Sequence, residues 1–159
     1  MELASVVVSQ YLASLDMLKQ TVTQCPESIW NVANDKNRFW QVAYHALFFT
    51  HLYLGESEEA FIPWNKHREG YEDFPAPENG EPYDKDTILA YLAFCEQQVK
   101  ERVPQLDMEA VAAFHRRQRS TLELQIYSIR HIMQHVGELM ERLGTRVDAQ
   151  IDWVGSKPG

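Results

Sequence analysis

Cysteine is scarce in this chain: 159 residues include two, Cys25 and Cys95, with no CxxC spacing. That excludes a disulfide-built scaffold, and a chain of this length can bury a core without staples. Two isolated thiols suit a reducing compartment, so a cytoplasmic location is expected. Basic residues are also few, 15 Lys and Arg against 23 Asp and Glu, for a formal charge of −8. A net negative chain repels phosphate backbones, which excludes nucleic acid as the expected partner. Long apolar runs are missing too. The longest, "VAYHALFFTHLYL" at 42–54, contains two histidines and falls short of the roughly 18–20 residues that span a bilayer. The opening "MELASVVVSQYLASLDML" has an acidic residue where an export signal carries basic ones, and its apolar residues are periodic. It reads as a first helix, and no membrane partner is expected.

Several motifs are absent. There is no HExxH, no paired ExxH of a di-iron bundle and no glycine-rich phosphate loop, which disfavours those chemistries. No segment alternates with a period of two, and neither repeats nor low-complexity tracts occur, which argues against strands and solenoids.

What is present is helical periodicity. Ala4, Val8, Tyr11, Leu15, Leu18 and Val22 form one stripe, predicting a helix over 3–23 that Pro26 closes. From 38 to 54 nearly every residue is apolar or aromatic, which predicts a central helix buried on most sides. Residues 63–83 hold Pro63, Pro75, Pro77 and Pro82 with Gly70 and Gly80 and must be a long loop. Asp84 or Asp86 can cap a third helix striped by Ile88, Leu92, Cys95, Val99 and Val103, which stops at Pro104. Ser120 precedes a fourth, striped by Leu122, Ile126, Ile129, Met133, Val136, Met140 and Leu143, with Gly144 expected as its C-cap. The expectation is an all-α four-helix bundle in one domain over 1–159, with its core in 1–144 and a tail at 145–159. Ile151, Trp153 and Val154 make that tail too apolar to be wholly disordered, so it should dock on the bundle. The long crossover at 56–83 permits the second and third helices to run parallel.

Within the last helix, "RHIMQHVGELMERLG" places His131 and His135 four residues apart, one turn above each other, as a metal chelate needs. With six histidines in the chain, composition alone supplies about 0.2 such pairs, so the spacing needs a third ligand. His45, mid-helix among Val42, Phe49 and Leu52, is the candidate, because a buried imidazole requires partners for its nitrogens. A core histidine bonded to a carbonyl or carboxylate is the competing reading. His51 competes as well, but it lies about 240° around the helix from His45, so the two cannot both face one ion. His131 and His135 fall roughly 105 to 145° from the centre of their helix's apolar stripe. That rim position fits an open site at the bundle's mouth or two solvent-exposed rings.

Glu138, three residues after His135, can be a fourth ligand or orient an imidazole. Tyr127, one turn before His131, can donate a hydrogen bond to a substrate. Arg116, Arg117 and Arg119 precede the last helix, where they either pair with the abundant acids or hold the carboxylate or phosphate of a small molecule.

A histidine in the second helix, within "FWQVAYHALFFTHLYL", followed far downstream by the HxxxHxGxL pattern at His131, His135, Gly137 and Leu139, resembles the DinB-like family of metal-binding four-helix bundles. The resemblance implies that His45, His131 and His135 bind one divalent metal, often zinc or nickel. It also implies a homodimer and an up-down-down-up helix order. Characterised relatives include thiol-dependent S-transferases and a mycothiol-dependent maleylpyruvate isomerase. The expected activity is therefore metal-dependent, with zinc, nickel or iron, and transfers a low-molecular-weight thiol to a small electrophilic substrate, or hydrolyses it. Glu138 or Tyr127 would handle the proton, and neither cysteine would act as nucleophile. The alternative is a non-catalytic dimeric bundle that binds a metal or ligand.

Overall fold

The computed structural model describes residues 2–77, 80–114 and 119–159. It is a helical bundle of α1 (Leu3–Gln24), a short α2 (Glu27–Trp30), α3 (Phe39–Tyr53), α4 (Lys85–Arg102) and α5 (Thr121–Val147). α1 packs against α4 and α5, α3 packs against the same two helices, and α1 and α3 face each other across the diagonal. The predicted stripe of α1 is the core, with Tyr11, Leu15, Leu18 and Val22 shielded from solvent. α3 is buried almost all round, as its composition requires.

Hydrogen bonds between helix ends give the directions. Tyr11 in the first half of α1 donates to Gln125 near the start of α5 at 2.7 Å, and Gln24 at the end of α1 donates to Gln150 just past the end of α5, so α1 and α5 run the same way. Gln125 donates to the carbonyl of Tyr53 at the end of α3, while Arg142 late in α5 donates to Asn37 just before α3; those two helices are antiparallel. Lys85 at the start of α4 reaches the carbonyl of Cys25 at the end of α1, making that pair antiparallel as well. α3 and α4 therefore run in the same direction, the arrangement that a long crossover permits.

Asp84, rather than Asp86, caps α4 by accepting from the Thr87 N–H at 2.7 Å. Pro104 ends that helix in a single 3-10 turn, Val103–Gln105. Ser120 caps α5 by accepting from the Glu123 N–H. Two features differ from the sequence reading. The four-residue α2 was not anticipated; Pro26 opens it, and it lets Trp30 donate to the Tyr83 carbonyl at 2.8 Å. Gly144 does not close α5, which continues to Val147 and ends at Asp148, at φ 53°. Asp tolerates the left-handed cap that glycine would otherwise supply.

The tail does dock. Side chains of Gln10, Gln20 and Gln24 on α1 donate to carbonyls of Gly155, Asp152 and Gln150, Ile151 is buried, and Trp153 stays exposed. The crossover between α3 and α4 lies over the bundle, with Trp40 of α3 packed on Tyr71 and Tyr83 of the loop. Its first part bridges to the connection before α5 through Ser57 and Ala113. Among the described residues no helix is long and apolar enough to cross a membrane.

Candidate metal centre

α3 and α5, antiparallel neighbours, bring His45, His131 and His135 together. The Nε2 atom of His131 lies 3.1 Å from Nε2 of His45 and 3.1 Å from Nε2 of His135. One ligand atom from each ring fits within 4.8 Å of the others. The rim position computed from periodicity is thus not a solvent-facing one: His135 is 5% exposed. It turns inward because that flank of α5 is covered by α3 and the crossover loop, which a one-helix stripe does not see.

The tautomers make this cluster unusual. His45 Nδ1 sits 2.5 Å from the carbonyl oxygen of Glu72. A carbonyl only accepts, so Nδ1 carries the hydrogen and Nε2 of the neutral ring presents a lone pair. His135 Nδ1 is 3.3 Å from Glu138 Oε2, which fixes the same tautomer there. Two lone pairs therefore converge on His131 Nε2, and a hydrogen on that atom can satisfy only one. His131 Nδ1 is buried with no hydrogen-bond partner among the described residues.

Protonation is not the remedy, because burial holds all three rings below the usual histidine value. His131 is pushed down to about 3 by burial and then by its two neighbours, His135 to about 4 by burial and then by His45, and His45 is lowered chiefly by burial. Three neutral imidazoles whose ligand atoms lie within 4.8 Å of one another, two of them oriented from behind by an oxygen, can hold a divalent cation. The residues fit a metal.

A second layer holds the rings. Arg142 donates to Glu138 Oε1 at 3.1 Å, and also to Asp35 Oδ2 and the Asn37 carbonyl; Arg146 donates to the other oxygen of Asp35. Phe74 of the crossover stacks on His45 at 4.3 Å, Phe49 packs edge-on against His131, and Tyr127 lies parallel to the His131 ring at 6.2 Å. The Glu72 carbonyl and Phe74 carry no sequence signal, since one is main chain and the other sits in a proline-rich loop. Arg142 was legible as the i+4 partner of Glu138.

A profile of the DinB superfamily matches residues 10–139. The chain belongs to the DinB superfamily. The match takes in all three histidines and ends just past Glu138. No curated protein matches the chain.

The remaining candidates of this DinB-superfamily chain fall into place around the cluster. His51 is not a ligand of it. Its Nδ1 lies 3.2 Å from the Tyr91 hydroxyl, between Phe61 and Phe94. His51 is pushed down to about 4 by burial and secondarily by the charge of Arg102. The unfolded chain takes up this proton near pH 6.5 and the folded one does not until about pH 4, so stability is lost as pH falls through that window. A His51→Leu variant should therefore lose less stability than wild type between about pH 7 and about pH 5. Denaturant midpoints at both values check this; equal losses in the two proteins would reject it.

Both cysteines are buried free thiols, and burial pushes Cys25 up to about 12 and Cys95 well above its usual value. Neither is poised as a thiolate. Arg119 pairs loosely with Glu123, Nε to Oε1 at 4.0 Å, and lays its guanidinium on the Tyr127 ring at 4.5 Å. Arg116 and Arg117 lie outside the described residues.

Glu138 has both oxygens committed, one to the imidazole and one to Arg142. Removing that carboxylate frees the His135 ring to turn. Glu138→Ala should weaken zinc or nickel binding by about 10- to 100-fold, and Glu138→Gln, which keeps an acceptor, by less. Competition with a chromophoric chelator measures both, and unchanged affinity in the alanine variant would remove Glu138 from the site.

Proposed function

We propose that this protein is a divalent-metal-dependent enzyme that transfers a low-molecular-weight thiol to a small electrophile, or hydrolyses that electrophile, at His45, His131 and His135. The observation that carries this reading is the convergence of three neutral imidazole nitrogens, with the outer faces of His45 and His135 already committed to Glu72 and Glu138. A divalent cation on such a set supplies a positive charge that brings the pKa of a bound thiol or water towards neutrality.

The chain's own residues do the rest. Glu72, through its carbonyl, and Glu138, through its carboxylate, fix the lone pairs of His45 and His135. Phe74 and Phe49 cover His45 and His131 and limit the access of bulk water to the rings. In the transfer the thiol sulfur forms a bond to the electrophilic carbon, its proton passes to a base, and the leaving group departs with the electrons of the broken bond. Glu138 acts here as a positioning residue, because neither oxygen is free. Tyr127 is the proton donor to the departing group. The nucleophile comes from solution, since both cysteines are buried and protonated.

Purified protein loaded with zinc, nickel or iron(II) is to be screened with several thiols against alkyl halide and epoxide electrophiles, following thiol consumption. Metal-dependent turnover that the His131→Ala, His135→Ala double variant lacks is the expected result. Full metal occupancy with no turnover across thiols and electrophiles would replace this reading with that of a non-catalytic metal-binding bundle.

A further inference from the structure

Beside the histidine cluster, between the C-terminal end of α3, the start of α5 and the connection that precedes it, lies an open cleft of about 580 Å³. Among the described residues its walls are Tyr53, Phe114, Leu124 and Tyr127, and its charges are Arg119 and Glu58. Tyr53 meets Phe114 edge-on at 5.6 Å and Tyr127 at 5.7 Å, so three rings enclose the space from different angles. One of them, Tyr127, also lies parallel to the His131 ring at 6.2 Å between centroids. Tyr127 thus borders both the cleft and the candidate metal centre.

The charges are unequal. Arg119 is the more enclosed: its side chain is 22% exposed, and its one acid partner among the described residues, Glu123, is 65% exposed at a marginal 4.0 Å. Such a pair is screened by water and gives way to a better anion. The guanidinium carbon lies over the Tyr127 ring at 4.5 Å, a contact that leaves its N–H groups able to take a bidentate carboxylate. Glu58 is exposed and solvated, yet it lines the same cleft, where it repels a second negative charge. A flat apolar group suits three aromatic walls, and the volume lies within the range of small-molecule sites.

We infer that this cleft binds a small aromatic monocarboxylate, with Arg119 holding the carboxylate, the rings of Tyr53, Phe114 and Tyr127 holding the aromatic body, and Glu58 discriminating against dianions. That the bound molecule is the electrophile of the neighbouring centre rests on the function proposed above; the binding itself does not.

The test is a titration of the chelator-treated, metal-free full chain with 2-naphthoate, 2-naphthamide and 2-naphthyl phosphate by ligand-observed NMR. 2-Naphthoate should bind with a Kd on the order of millimolar, as its size allows, and the amide and the phosphate should each bind at least about tenfold more weakly, since a charge-assisted pair and a like-charge clash are each of that order. Arg119→Gln should bring the carboxylate down to the level of the amide and leave the amide unchanged, whereas Arg119→Lys should retain part of the preference. Glu58→Gln should narrow the gap between carboxylate and phosphate. Equal binding of carboxylate and amide, or a carboxylate affinity indifferent to Arg119→Gln in a protein of unchanged circular dichroism, overturns the assignment. Because no metal is present, failure here leaves the three-histidine centre untouched. Failure of the chain to load metal likewise leaves this titration readable.

Discussion

Replacing both His131 and His135 by alanine should take the metal content of zinc- or nickel-supplemented protein from about one ion per chain to none. Two of three ligands vanish, and His45 alone cannot hold a divalent cation at micromolar concentrations. Elemental analysis after removal of any affinity tag reads the result directly. The same site should appear as a stability effect. A ligand that binds only the folded state at a hundred times its Kd adds about 2.7 kcal/mol, so added metal should raise the wild-type Tm and leave the variant's unchanged.

The metal-free proteins should behave in the opposite sense. In the wild type, His131 carries a buried Nδ1 without a partner among the described residues and faces two lone pairs at 3.1 Å. A single His131→Leu substitution removes that unsatisfied group, whose burial costs about 1–3 kcal/mol. The variant should match or exceed wild type in stability without metal and fall below it with metal. Equal Tm gains on adding zinc to wild type and variant would show that the ion binds elsewhere.

Trp40→Ala should have the largest effect on the fold, about 3–5 kcal/mol by the usual cost of emptying a buried aromatic site. Trp40 is 2% exposed, its indole N–H donates to Asn31 at 3.0 Å, and its ring supports Tyr71 and Tyr83 of the crossover. The consequence reaches the histidines, because the loop just past Tyr71 supplies the Glu72 carbonyl to His45 and the Phe74 ring that covers it. Gln41, through the Asp73 carbonyl at 2.8 Å, and the His45 contacts themselves would still tie that segment to α3. The variant should therefore lose stability and metal affinity together. Trp40→Phe, which keeps most of the packing, should recover the greater part of both. Urea midpoints and chelator competition on the same three proteins provide the check; full metal affinity in a destabilised Trp40→Ala would break the proposed link between loop and site.

Much of this was legible in the residues. The four long helices, the stop at Pro104, the cap at Ser120 and the long crossover follow from periodicity and from the backbone chemistry of proline and serine, which act over a few residues. The HxxxH pair was legible for the same reason, since four residues make one turn. The choice of His45 over His51 rested on a central position in a helix apolar on nearly every side, and spacing alone could not have decided it. The end of α5 is not legible in the sequence: Gly144 reads as a C-cap, whereas the helix continues to Val147 and the left-handed cap falls to Asp148.

By itself, then, the sequence determined the helices, the absence of a disulfide framework and the presence of two imidazoles at chelate spacing on one helix, because each of these depends on composition or on contacts within a few residues. Only the tertiary structure decided that the rim of α5 turns inward, that His45 and not His51 completes the cluster, that a loop carbonyl and Arg142 with Asp35 stand behind the rings, and that an aromatic cleft adjoins them. Those outcomes join residues as far apart as Asp35 and Arg142 or His45 and His131. What brings such pairs together is the packing of α3 against α5 under the crossover, a property of the whole chain that no local pattern encodes.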